Sequence, residues 1–248
     1  QIWNFYILTE TAFICSTIFI LYLFIFFEKK NLPLLIFFII FYITLRPHGV
    51  ILLPSLSLSL LIWLYFKNQF KLFFLLILCL VVLSLPTLSL LNYYIENEDI
   101  VSTVAEKGII WGYDNKNNFL EFKTHTNTNK DLISLLIFFK NNFYTFIIAF
   151  FKKLWFFNFR IRPYYSDFHN YYIIIYNVFY WPAALLGLFK LYNKKNLGII
   201  LMYSLILFFT LAVGFSWADW DGRFSLYILP LIFIFAGIGV HKVLNLEQ

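Results

Sequence analysis

Read from its amino end, the chain alternates long apolar runs with short polar punctuation. Phe5 to Phe27, Val50 to Phe66, Leu72 to Leu91 and Phe224 to Val240 are each almost free of charge. About 20 helical residues at about 1.5 Å per residue cross about 30 Å of hydrocarbon, so runs of this length predict membrane-spanning helices. The pattern predicts seven spans, near residues 5 to 27, 32 to 48, 50 to 66, 72 to 91, 171 to 189, 196 to 215 and 224 to 243. The expected fold is all-α, a polytopic transmembrane helix bundle with one interfacial amphipathic helix. It divides into spans one to four (1–91), a central non-spanning region (92–170) and spans five to seven (171–248).

The span count depends on Leu132 to Asn158. Lys140, Asn141 and Asn142 stand in its middle, and a crossing would place them near the bilayer centre at high cost. Asn142, Thr145, Ala149 and Lys152 recur at helical spacing among Phe, Ile and Leu, so the segment is expected to lie flat as an amphipathic helix. The alternative is an eighth span, which would reverse the last three. Before it, Asn92 to Asp131 is a long polar stretch of the kind that forms functional or ordered surface loops. Lys140, Lys152, Lys153, Arg160 and Arg162 follow, at the level expected of lipid phosphates. A solvated loop beside ordinary interfacial anchors is the competing reading.

Charge orients the spans. Lys29, Lys30, Lys67, Lys71, Lys190, Lys194, Lys195 and Lys242 fall in connectors on one side, while the short connectors opposite hold only Arg46 and Arg223. Lysine-rich connectors stay in the cytoplasm, so the amino end starts outside and the carboxyl end finishes inside. Composition agrees: 61% of the 248 residues are hydrophobic and 13% are charged, against about 25% charged in soluble domains. The net charge of +6 is scattered in short clusters and forms no basic face, so no nucleic-acid partner is expected. Cys15 and Cys79 lie in apolar runs and behave as small hydrophobes, with no metal-ligand spacing. The chain opens on Gln1, has Met202 as its only methionine and lacks the features of a signal peptide. It is therefore expected to be a fragment missing an amino-terminal part.

Several polar residues sit where the membrane makes them costly. Glu10 lies inside the first span, and an ionisable group there marks a candidate site. At about 1.5 Å per residue it stands about 26 Å above Phe27, while Arg46 stands about 21 Å above Leu32, so adjacent helices could pair them. A structural ion pair and a substrate contact are both open, and both can hold. Pro47, His48 and Gly49 break the helix after Arg46 near the outer face, and His48 reads most simply as an interfacial histidine. Asp219, Asp221 and Arg223 gather between Trp217 and Arg223, on the same side. The carboxylate spacing would allow a divalent metal, but two ligands fall short of an octahedral set, and an Arg–Asp network is preferred. Trp217 and Trp220 read as interface anchors. Together Glu10, Arg46, His48, Arg160, Arg162, Asp219, Asp221 and Arg223 are the candidate substrate-binding set. Arginines would hold a phosphate, acids would bind hydroxyls, and apolar walls would take a lipid tail.

Three segments in order, LTETAF at Leu8 to Phe13, LRPHGVILLP at Leu45 to Pro54 and WDGRFSLYILPLIFIFAGIG at Trp220 to Gly239, resemble the GT-C superfamily of membrane glycosyltransferases. The resemblance is to the bacterial relatives of protein mannosyltransferases and of the lipid A aminoarabinose transferase, and it runs from end to end. It implies transfer of a sugar from a polyprenyl-phosphate donor to a glycan, lipid or protein acceptor outside a bacterial inner membrane. It also implies that Arg46 and the Asp221 to Arg223 segment line the donor side. The family's catalytic aspartate lies in the first outer loop, upstream of the part matched here, so no residue of this chain inherits that role. Three other functions compete: a carrier or flippase for a lipid-linked substrate, an O-antigen polymerase or ligase, and a noncatalytic membrane subunit. Carriers usually place their charged groups near the midplane, whereas these cluster near the outer boundary.

Overall fold

A computed structural model of the chain describes residues 2–45, 47–97, 132–159, 161, 165–191, 195–215 and 225–244. Nine α-helices account for nearly all of them: α1 (Ile2–Ile25), α2 (Leu32–Leu45), α3 (Leu52–Phe66), α4 (Phe70–Asn97), α5 (Leu132–Asn141), α6 (Phe143–Phe159), α7 (Asp167–Leu191), α8 (Leu197–Phe215) and α9 (Ser225–Val243). Among the described residues there is no strand. Short 3₁₀ turns at Lys29–Asn31 and Pro47–Ile51 lead into α2 and α3.

Local chemistry sets the breaks. Between α3 and α4, Asn68 takes a φ of 55°, the left-handed conformation that asparagine tolerates better than most residues. Asn196 caps α8, its Oδ1 accepting the backbone N–H of Gly198 at 2.9 Å. After α2 the chain folds back closely on itself. A Cβ on Gly49 would stand 2.4 Å from the carbonyl oxygen of Tyr42, so only glycine permits this return. The expected single helix over 132–158 is two helices broken at Asn142, whose Nδ2 donates to the Phe138 carbonyl at 3.0 Å. The side-chain amide shares that carbonyl with the Asn142 backbone N–H at 3.1 Å, the back-bonding by which such a residue bends a helix.

Ring and side-chain contacts give the direction of each helix. Phe13 stacks on Tyr42 at 4.0 Å and Phe19 meets Phe38 at 4.5 Å, so α1 and α2 are antiparallel. Helix α8 opposes α3: Ser59 donates to Ser204 Oγ at 3.0 Å, and Lys195 at the start of α8 lies 5.2 Å from the ring of Phe66 at the end of α3. It also opposes α1, since Gly198 abuts Ile25, while farther along both Phe13 and Phe209 reach Tyr227. Helices α7 and α9 run parallel in the most extensive contact of the bundle, with Tyr180 on Phe233 and Gly187 against Phe235 and Gly239. All these directions leave Lys29, Lys30, Lys67, Lys71, Lys190, Lys195 and Lys242 at one end of the bundle.

The outer surface of the bundle is apolar. Helix α4 exposes Phe74, Leu75, Leu78, Val81, Val82 and Leu83, and α7 exposes Phe168, Tyr171, Tyr172, Ile175 and Phe179. A soluble protein rarely leaves a contiguous apolar patch beyond a few hundred Å² uncovered, so this surface belongs in lipid. Three helical stretches, Gly49–Phe66, Asp167–Leu191 and Leu197–Gly214, are long and apolar enough to cross a membrane, and shorter apolar helices cover Glu10–Ile25, Phe70–Ser84 and Tyr227–Val243. The chain is an all-α membrane protein.

Candidate functional site

Glu10 is half-buried on α1, one helical turn before Phe13. Phe13 is fully enclosed, stacked on Tyr42 of α2 and tilted against Tyr227 of α9 at 4.7 Å. Tyr227 in turn meets Phe209 of α8 at 5.7 Å. This aromatic floor ties together four helices at the end of the bundle opposite the lysines. Tyr42 lies one turn inside the end of α2, and Tyr227 lies in the first turn of α9. Arg46 directly follows α2 in the chain and Arg223 closely precedes α9. The helix ends to which these two arginines are joined therefore meet over the same floor as Glu10.

Arg46, Arg160, Arg162, Asp219, Asp221 and Arg223 lie outside the described residues, as do Trp217 and Trp220. The backbone of His48 belongs to the 3₁₀ turn Pro47–Ile51, while its side chain is also outside what is described. The pairing of Glu10 with Arg46 and the carboxylate pair expected near a metal both fall in this group. Among the described residues no three His, Cys, Asp or Glu side chains gather closely enough to hold a metal ion.

A second element packs on the flank near this end. Helix α5 touches α4, and α6 packs on α8 and reaches α7, so the pair bridges one flank of the bundle to the other. The contact with α8 is close: a Cβ on Gly214 would stand 2.2 Å from the ring of Phe150. At its far end the Phe159 carbonyl accepts a hydrogen bond from Asn177 Nδ2 at 3.0 Å. Of the residues that recur at helical spacing, Asn142 and Ala149 are buried and Lys152 is exposed, while Lys153 is the lysine turned toward the bundle. Burial pushes the Lys153 ammonium down to about 8, because removing it from water disfavours the charged form.

Lys153 is the residue that reading by type and spacing undervalued. It lies between Ala149 and Phe157 at intervals of four, and both of those are buried. That register marks it as inward-facing, whereas the neighbouring Lys152 masked the signal. A small cavity beside the end of α6, about 10 Å³ and lined by residues including Phe157, Tyr180, Trp181 and Ile232, has room for about one water and none for a sugar. Comparison of the chain with protein-family models, with curated proteins and with solved structures found no match.

Proposed function

We propose that this chain is part of a membrane glycosyltransferase of the GT-C type, taking a sugar from a polyprenyl-phosphate donor at the extracytoplasmic face. One observation carries the reading. Glu10 stands one turn from Phe13 inside α1, and the end of α2 that precedes Arg46 and the start of α9 that follows Arg223 flank the same Phe13–Tyr42–Tyr227 floor, at the end away from the lysine-rich connectors. With the lysines in the cytoplasm, that end faces outward. An outer pocket with arginines for phosphate, carboxylates for sugar hydroxyls and apolar walls for an isoprenoid suits such a donor. Lys153, turned inward from α6, adds a cation on the same side.

Helix directions support seven spans with α5 and α6 lying along the flank of the bundle near its outer end. Helix α8 opposes α1. If α1 to α4 and α7 to α9 each cross, an additional crossing between α4 and α7 would have made α8 parallel to α1. The carrier reading gains nothing from the described residues, since α2, α3 and α8 contain no charged side chain through the middle of the bundle.

Binding of a short-chain polyprenyl-phosphate sugar to the chain in nanodiscs tests the proposal without requiring the whole catalytic apparatus. Saturable binding is expected, weakened about tenfold to a hundredfold by Arg46→Ala, the cost of losing a charge-assisted contact of about 1.5–3 kcal/mol. No binding to the parent chain, or equal binding to a well-folded Arg46→Ala variant, contradicts it.

A further inference from the structure

Helix α6 has two faces of different chemistry. At about 100° per residue, Phe143, Tyr144, Ile147, Phe151 and Trp155 share an arc of about 120°, and all five are exposed, Tyr144 to 77%. On the other side Asn142, Ala149 and Phe157 are buried. Phe150 packs inward on Gly214 beside these, so α6 is aromatic on both faces, and the exposed arc carries none of the charge expected of a helix face turned to water. Lys140, just before the break at Asn142, and Lys152, at the border of the aromatic arc, are both exposed.

Tyrosine and tryptophan prefer the depth of lipid headgroups, and an apolar face edged by lysines binds best where the membrane surface is negative. The aromatic face also continues the lipid-exposed surface of the bundle, since α5 adjoins α4 and α6 adjoins α7. We infer that α6 is a binding element for anionic phospholipid of the chain's own bilayer, with its aromatic face seated among the acyl chains and Lys140 and Lys152 on lipid phosphates. This rests on the reading that α5 and α6 lie flat at the outer face. Charge complementarity selects the occupant: a protein partner would need its own acidic, apolar groove, whereas anionic lipid supplies both features in the plane where the helix already lies. The donor site is separate, because Lys153 and the buried face of α6 point the other way.

The test uses the whole chain carrying Cys15→Ala and Cys79→Ala, with a fluorophore on a cysteine replacing Phe151, in nanodiscs containing brominated phosphatidylcholine or brominated phosphatidylglycerol. Both lipids should quench the fluorophore. The anionic one should be favoured by about fivefold for each lysine at low salt, and high salt should collapse the preference. Lys140→Gln and Lys152→Gln should each remove about that factor while leaving quenching itself intact. Equal quenching by the two lipids overturns the proposal but leaves the flat helix standing. Absence of quenching by either removes the flat helix and the proposal together. Protection from lipid accompanied by cross-linking of the Phe151→Cys position to another protein chain would overturn it in favour of a protein interface.

Discussion

Helix α4 and the α7–α9 pair are made from similar apolar letters, yet they meet opposite fates. Helix α4 lies beside α3, reaches α5 only weakly and leaves Phe74, Leu78 and Leu83 more than half exposed. Helices α7 and α9 pack along their length, with Ala184, Gly187, Leu231 and Phe235 enclosed. The difference is side-chain size. In lipid there is no hydrophobic drive for one apolar helix to leave the tails for another, so close approach through small residues decides which helices associate. Helix α4 has no glycine, while Gly187 and Gly239 let the α7 and α9 backbones touch.

The largest effect expected from breaking this contrast is Gly239→Leu. A Cβ there would stand 1.9 Å from the Ala183 carbonyl oxygen, and neither backbone can yield without separating the helices. Unfolding titrations in mixed micelles should show a loss of about 4 kcal/mol or more, or no folded protein. Lys153→Met should act less strongly and in a pH-dependent way. The folded chain releases the Lys153 proton at about 8 and the unfolded chain at about 10.5, so between these values the unfolded state holds more protons. Stability should therefore rise with pH across that window. The methionine variant should flatten the rise and be more stable than the parent at pH 7. Smallest of all, Leu78→Ala on α4 should shift stability by under about 0.5 kcal/mol, since its side chain meets lipid in the folded and unfolded states alike.

Much of the helix layout was legible in the sequence, because bilayer thickness imposes a length on each apolar run. Helices stand at every position where a span was expected, with ends displaced by a few residues. The displacement at α2, which stops at Leu45, follows from Pro47 and the close return at Gly49. Which helices touch was not legible, because apolarity is uniform along the spans and contact is set by Gly187, Gly239, Ser59 and Ser204, small residues that carry little pattern. The candidate site was visible as isolated charges in apolar surroundings. Its aromatic floor was not, since Phe13, Tyr42 and Tyr227 look like any other ring among 33 phenylalanines and 17 tyrosines. Lys153 was legible only as one of a basic group, because its inward register shows once Ala149 and Phe157 are known to be buried.

The proposed outer pocket exists only if Glu10, the end of α2 before Arg46 and the start of α9 after Arg223 share the membrane face opposite the lysines. Labelling with an impermeant maleimide in sealed cells, on a Cys15→Ala and Cys79→Ala background, tests this directly at Lys67→Cys, Ser166→Cys and Lys195→Cys. Ser166→Cys should react at once, while Lys67→Cys and Lys195→Cys should react only after permeabilisation. Reaction of Lys67→Cys and Lys195→Cys from opposite sides, or of Ser166→Cys from the same side as Lys67→Cys, would contradict that arrangement.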